Sequence, residues 1–139
     1  MTRKNLPIYL VSACLVGLCT RYDGRTKESP ECLNTLKNGI WIPVCPEQLG
    51  GLPTPREAAD IAGGDGAAVL AGRSRVLTKS GVDLTEEFIR GAEQVLRIAR
   101  SQHVAGVFLK ARSPSCAVHG TIGVTAALLR AEGFQLTEF

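Results

Sequence analysis

Ser29-Pro30-Glu31-Cys32-Leu33-Asn34-Thr35-Leu36-Lys37-Asn38-Gly39-Ile40-Trp41-Ile42-Pro43-Val44 decides the fold. Ser29 is a helix cap, Pro30 is preorganised for the first helical position, and Asn38-Gly39 stops the helix after about Lys37. The apolar run Ile40–Val44 is short and flanked by Gly- and Pro-rich stretches, so it reads as a buried strand with Trp41 in the core. Upstream, Ile8–Ala13 is a second run of this kind. Strand, helix and strand make a βαβ unit, and such units join parallel strands.

The pattern continues downstream. Val82-Asp83-Leu84-Thr85-Glu86 opens a long helix, with Asp83 as cap and Glu86 as its reciprocal partner. Phe88, Ala92, Val95, Leu96 and Ala99 then fall on one face, and the helix ends near Gln102. Val104–Leu109 is another buried strand. Gly123–Glu132 is an amphipathic helix stopped by Gly133, and Phe134–Phe139 is a last strand. Arg56–Ala62 is expected as a short helix, and Ala67–Thr78 as a hairpin or an edge excursion. Strands alternating with helices predict one α/β domain over residues 1–139. It has an open, mostly parallel sheet flanked by helices, layered like Rossmann or flavodoxin folds.

Sixteen basic and 13 acidic residues leave a net charge of +3. That is too small for a nucleic-acid coat or a membrane-surface binder, though a local anionic ligand remains compatible. No apolar run is long enough to span a bilayer. The basic N-terminus before Ile8 reads as a lead into the first strand rather than a signal peptide, which predicts a cytoplasmic protein. Five cysteines, at 14, 19, 32, 45 and 116, are then thiols or metal ligands rather than disulfides.

Open α/β sheets bind ligands beyond the carboxyl ends of their strands. Cys14 follows the first strand, Cys45 the second, and Cys116 lies in the loop after Val104–Leu109. Parallel strands would put all three thiols on one rim. The loop after Cys45, Pro46-Glu47-Gln48-Leu49-Gly50-Gly51-Leu52-Pro53-Thr54-Pro55-Arg56-Glu57, is stiffened by prolines and suits a site that holds its shape. Three thiolates can hold zinc with an open position, or an iron–sulfur cluster with one iron not bound by protein. Such an iron favours a soft ligand such as sulfur. Cys32, on the first helix, reads as a buried core thiol.

Val11-Ser12-Ala13-Cys14-Leu15-Val16-Gly17, Arg21-Tyr22-Asp23-Gly24, Val44-Cys45-Pro46-Glu47-Gln48-Leu49-Gly50-Gly51-Leu52-Pro53-Thr54-Pro55-Arg56, Ser113-Pro114-Ser115-Cys116 and Gly123-Val124-Thr125-Ala126-Ala127-Leu128-Leu129 together resemble the thiouracil desulfurase (TudS-like) family. The resemblance spans about residues 8 to 138. It implies an α/β domain with a 4Fe-4S cluster on Cys14, Cys45 and Cys116. It also implies non-redox removal of sulfur from a 2-thiouracil-like base: a hydrolytic desulfurase that leaves the oxo base and sulfide. Two features depart from the family pattern. Thr20 stands where members often have a cysteine before Arg-Tyr-Asp-Gly, with Cys19 one residue earlier. The glycine-rich insertion after Ser-Pro-Ser-Cys is short here.

Around these thiols, Glu47 is a candidate general acid/base, and Ser113 a further catalytic candidate. Ser115 and Asp23 are candidates for binding substrate, although Asp23 also suits a plain turn. Arg56 and Lys110 are read as a balance to cluster charge, as contacts for an anionic ligand, or as surface charges. His119 is weighed as a fourth ligand. The expected partner is a small thiolated base or nucleoside rather than nucleic acid. The alternative function is a non-catalytic zinc- or cluster-binding sensor, and a blander one is an α/β domain that works by contact with a partner.

Overall fold

A computed structural model describes residues 6–139. Residues 1–5 of the N-terminal lead fall outside them. In chain order the elements are β1 (Ile8–Ser12), α1 (Pro30–Thr35), β2 (Ile40–Val44), α2 (Pro46–Leu49), β3 (Ala59–Ala62), α3 (Gly66–Leu70), β4 (Arg75–Thr78), α4 (Thr85–Ser101), β5 (Gly106–Leu109), α5 (Val124–Ala131) and β6 (Leu136–Glu138). The main sheet has the order β2-β1-β5-β6, and every pairing in it is parallel. This is the expected single α/β domain.

Strand alternation assigns the two faces. Leu10, Val107 and Leu109 face Val95 and Ala99 of α4 and Ala126 and Leu129 of α5. Val11 and Phe108 face Leu15, Cys32 and Leu36 on the α1 side. Tyr9 stacks on Phe108 at 4.9 Å between centroids, and Phe139 meets Phe108 edge-on at 5.5 Å. Cys32 is therefore a core thiol. With no polar partner to offset burial, its pKa is pushed up to about 11.

The local signals locate the helix ends well. Ser29 Oγ accepts the Cys32 N–H at 3.1 Å, as a cap should. At α4 the capping differs in detail. Asp83 Oδ1 accepts both the N–H and the hydroxyl of Thr85, at 2.9 and 2.6 Å, so Thr85 rather than Glu86 is its partner.

Three expectations are corrected. Residues 56–62 contain no helix: Ala59–Ala62 is β3, antiparallel to β4. Its alternating half-buried and exposed residues carry strand periodicity, but its partner lies beyond an intervening helix and leaves no local trace. Residues 67–78 are neither a hairpin nor a plain excursion. They hold most of α3, capped by Asp65 through the Ala68 N–H at 2.9 Å, and then β4. Ile40–Val44, expected as a buried strand with Trp41 in the core, is a strand but mostly exposed, with only Val44 buried and Trp41 40% exposed, because β2 is the sheet's outer strand and has only one neighbour. No helix among the described residues is long and apolar enough to cross a membrane.

Candidate functional site

Cys14 lies in a 3-10 turn (Ala13–Val16) just beyond β1, Cys45 follows β2 directly, and Cys116 is in the loop after β5. Because the three strands are parallel, these positions share one rim, and all three thiols line one cavity of about 320 Å³. Glu47, Arg56, Lys110 and Ser113 line it too.

Close backbone approaches hold the Cys45 segment. Pro46–Leu49, expected as loop, is a single helical turn with Cys45 at its cap position. It lies directly on α4. A Cβ on Gly91 would meet the Pro46 carbonyl at 2.0 Å, and one on Gly50 would meet the Glu87 carbonyl at the same distance. Only glycine allows these contacts. The Cys116 segment is held by α5, whose first N–H groups need acceptors outside the helix. Val124 N–H donates to Pro114 O at 2.8 Å and Ala126 N–H to Ser115 O at 3.0 Å.

The hydroxyl network has a fixed direction. Ser113 Oγ accepts the N–H groups of Ser115 and Cys116, at 3.2 and 3.0 Å. Both its lone pairs are then used, so its own hydrogen goes to Ser115 Oγ at 3.0 Å. Ser115 has one hydrogen to give. Glu47 Oε1 at 2.6 Å is a better acceptor than the Cys116 sulfur at 3.5 Å. The other oxygen of Glu47 faces Arg56 Nη2 at 3.5 Å.

Burial is the main influence on all three cavity thiols, and it favours their neutral forms. It pushes Cys116 up to about 12, with Glu47 adding to the rise and a hydrogen bond from Ser12 opposing it. Cys14 is raised too, with Lys110 pulling the other way. Cys45 is raised by burial and then by Glu47. Lys110 is lowered by burial, while the nearby Cys14 acts to keep it charged.

Among the described residues, no three His, Cys, Asp or Glu side chains form a group that could hold a metal ion. A single zinc needs its sulfur ligands about 2.3 Å away, so three thiolates would have to meet at one point. A cluster has separate irons, each taking one thiolate, and asks only that the three face a common space. Three soft donors around one cavity fit the second demand.

Other expectations fare differently. Ser115 is fully buried, is spent on Glu47 and is absent from the cavity lining. Asp23 is exposed, accepts the Arg25 N–H at 3.0 Å and shapes a turn away from the lining. Cys19 is exposed and also off the lining. His119 lines a second, open cavity beyond Ser113 and Pro114, not the one the thiols share. Ser12 was missed. Its hydroxyl accepts the Lys110 N–H at 3.0 Å and lies against Cys116, and its place at the last position of a central strand was the available signal.

A family model described as 2-thiouracil desulfurase matches residues 9–138. The chain is 40% identical over 139 residues to an uncharacterised protein, YbbK, of Bacillus subtilis (strain 168), covering 91% of this chain and 92% of that one. It is also similar to the solved structure of a [4Fe-4S]-dependent thiouracil desulfidase, TudS. The TM-score is 0.77, with 36% identity over 95% of this chain and 90% of that one.

Proposed function

The chain belongs to the 2-thiouracil desulfurase family, and from that premise we propose that it is a cytoplasmic desulfidase that converts a 2-thiouracil-like base to the oxo base and sulfide. Cys14, Cys45 and Cys116 would hold a 4Fe-4S cluster. The observation that supports this reading most is that these thiols, from three distant parts of the chain, line one cavity together with Glu47. When bound, such a cluster would supply one iron without a protein ligand, a soft Lewis acid suited to the substrate's sulfur.

The chain's own residues would handle water and protons. Hydrolysis of a C=S bond needs water to add at carbon, a proton to leave that water, and protons to reach the departing sulfur. Glu47 faces the cavity and is the group placed to accept and return a proton. We assign Ser115 to holding Glu47, because its hydroxyl is committed to Oε1. Ser113, on the cavity wall, has its oxygen and its hydrogen committed, and would act by setting the direction of that chain of hydroxyls. Lys110 brings a positive charge beside Cys14 and Cys116, which favours their thiolate forms. Asp23, off the lining and anchored in its turn, is given no part in binding the base.

The test is anaerobic purification with an absorption spectrum, an iron and sulfide count, and a 2-thiouracil turnover assay. We expect about four irons per chain, release of sulfide, and loss of both in Cys45→Ser. Protein that holds the cluster but releases no sulfide would instead be the non-catalytic sensor. Protein that takes up no iron even after anaerobic reconstitution would overturn the cluster assignment.

A further inference from the structure

Arg56 has a side chain only 7% exposed, which excludes the surface-charge alternative among its readings. Its guanidinium binds three separate segments. Nη1 donates to Thr54 Oγ1 at 2.8 Å and to Pro53 O at 3.2 Å. Nη2 donates to Thr20 O at 2.9 Å, and lies 3.5 Å from Glu47 Oε2 and 4.0 Å from Cys45 Sγ. The Arg56 N–H donates to Tyr22 O at 2.7 Å. Gln48 Nε2 shares the Thr54 hydroxyl at 2.8 Å, tying this loop back to α2. Only a planar fork with several donors serves such a set, whereas a lysine ammonium has one centre.

We propose that Arg56 is a positioning residue for the desulfuration. It draws the Thr20–Tyr22 segment over Cys45 and restrains Glu47 Oε2. This rests on the reading of the site given above. The Cys45 thiol lies 3.7 Å from Thr20 O, the same carbonyl that Arg56 grips, so releasing that carbonyl uncovers Cys45. Glu47 is held at Oε1 by Ser115 and at Oε2 by Arg56. Its carboxylate cannot turn about its last bond without losing one of them. Loss of Arg56 would leave Glu47 free to rotate away from a bound base, and misplacement by about 1 Å can cost about 100-fold in rate.

The test uses Arg56→Lys, Arg56→Met and Arg56→Ala, with two readouts. In the metal-free protein, iodoacetamide labelling is followed at each cysteine by mass spectrometry at one pH. We expect Cys45 to react several-fold faster in Arg56→Lys, which keeps a positive charge beside the thiol but lacks the planar fork, with Cys116 unchanged. In the cluster-loaded enzyme, we expect kcat per cluster for 2-thiouracil to fall at least about 10-fold in Arg56→Lys and Arg56→Met, with KM within about 3-fold. Guanidinium ion should restore part of the rate in Arg56→Ala. Unchanged Cys45 labelling overturns the clasp. A loss of rate that merely follows iron content overturns the positioning role. Wild-type protein that loads the cluster yet leaves thiouracil intact overturns the functional reading instead, and the labelling still decides the clasp.

Discussion

The cavity has two walls built on opposite rules. One is the rim of the parallel sheet. Its strands are apolar, β5 is buried at every residue, and the thiols sit in turns tied to the main chain. Cys14 O alone accepts the Lys27 N–H and the Thr26 hydroxyl, each at 3.0 Å. The other wall is the antiparallel β3–β4 pair. It packs Ala59, Ile61 and Val76 on a separate cluster with Val69 and Phe88, and shows Asp60 and Lys79 to the cavity. The rim is over-determined, as positioned chemistry requires. The β3–β4 pair supplies shape with exposed, replaceable side chains.

The largest expected effect of breaking this contrast is at the rim. Cys116→Ser should fold but drop from about four irons to fewer than about one per chain, with thiouracil turnover undetectable. Full iron retention by that variant would dissolve the distinction between the walls. Gly91→Ala comes next. Alanine ordinarily stabilises a helix interior by about 1 kcal/mol over glycine, but here its Cβ would strike the Pro46 carbonyl. Urea unfolding should show a net loss of about 1–3 kcal/mol, and a gain would mean that α2 is not tightly seated.

A third expectation concerns pH and sets a core thiol against a rim thiol. In the metal-free protein Cys116 titrates near 12 and Cys32 near 11, each raised from 9.0 by burial. The unfolded chain gives up these protons near pH 9 while the folded chain keeps them. Their contribution to stability is complete below that pH and is lost as pH rises through 11 and 12. Unfolding free energy should therefore decline above pH 9, by up to about 1.4 kcal/mol per pH unit for each thiol. Cys32→Ala and Cys116→Ser should each flatten the decline in pH-dependent denaturation. The smallest effect belongs to the β3–β4 wall. Lys79→Ala should keep wild-type iron content and melting temperature and change KM by no more than about 3-fold, and a cluster lost in that variant would make the β3–β4 wall part of the rim.

The sequence was legible where local chemistry and final structure agree. Ser29-Pro30 and Asn38-Gly39 mark real helix limits, and Ile8, Ile40 and Val104 open runs that become β1, β2 and β5 or lead into them. Once those strands are parallel, the shared rim of Cys14, Cys45 and Cys116 follows. What stayed hidden depends on distant partners. Ala59–Ala62 contains good helix formers, and only β4 makes it a strand. Trp41 is apolar, and only the strand order exposes it. Arg56 carries no local sign that Thr20, Glu47 and Thr54 will close round it, and Ser115 none that Glu47 will take its hydrogen.

The hydrogen bond from Lys110 N–H to Ser12 Oγ joins positions 98 residues apart. Chain entropy must be spent closing that loop before the contact gives anything back, which makes such pairings late events in folding. During synthesis, β1 can meet β2 early, but it lacks its second neighbour and the third thiol until residues 106–116 have emerged. On the proposed reading, iron delivered to a half-made chain would meet two of the three thiols and no enclosing cavity, so cluster insertion would follow folding.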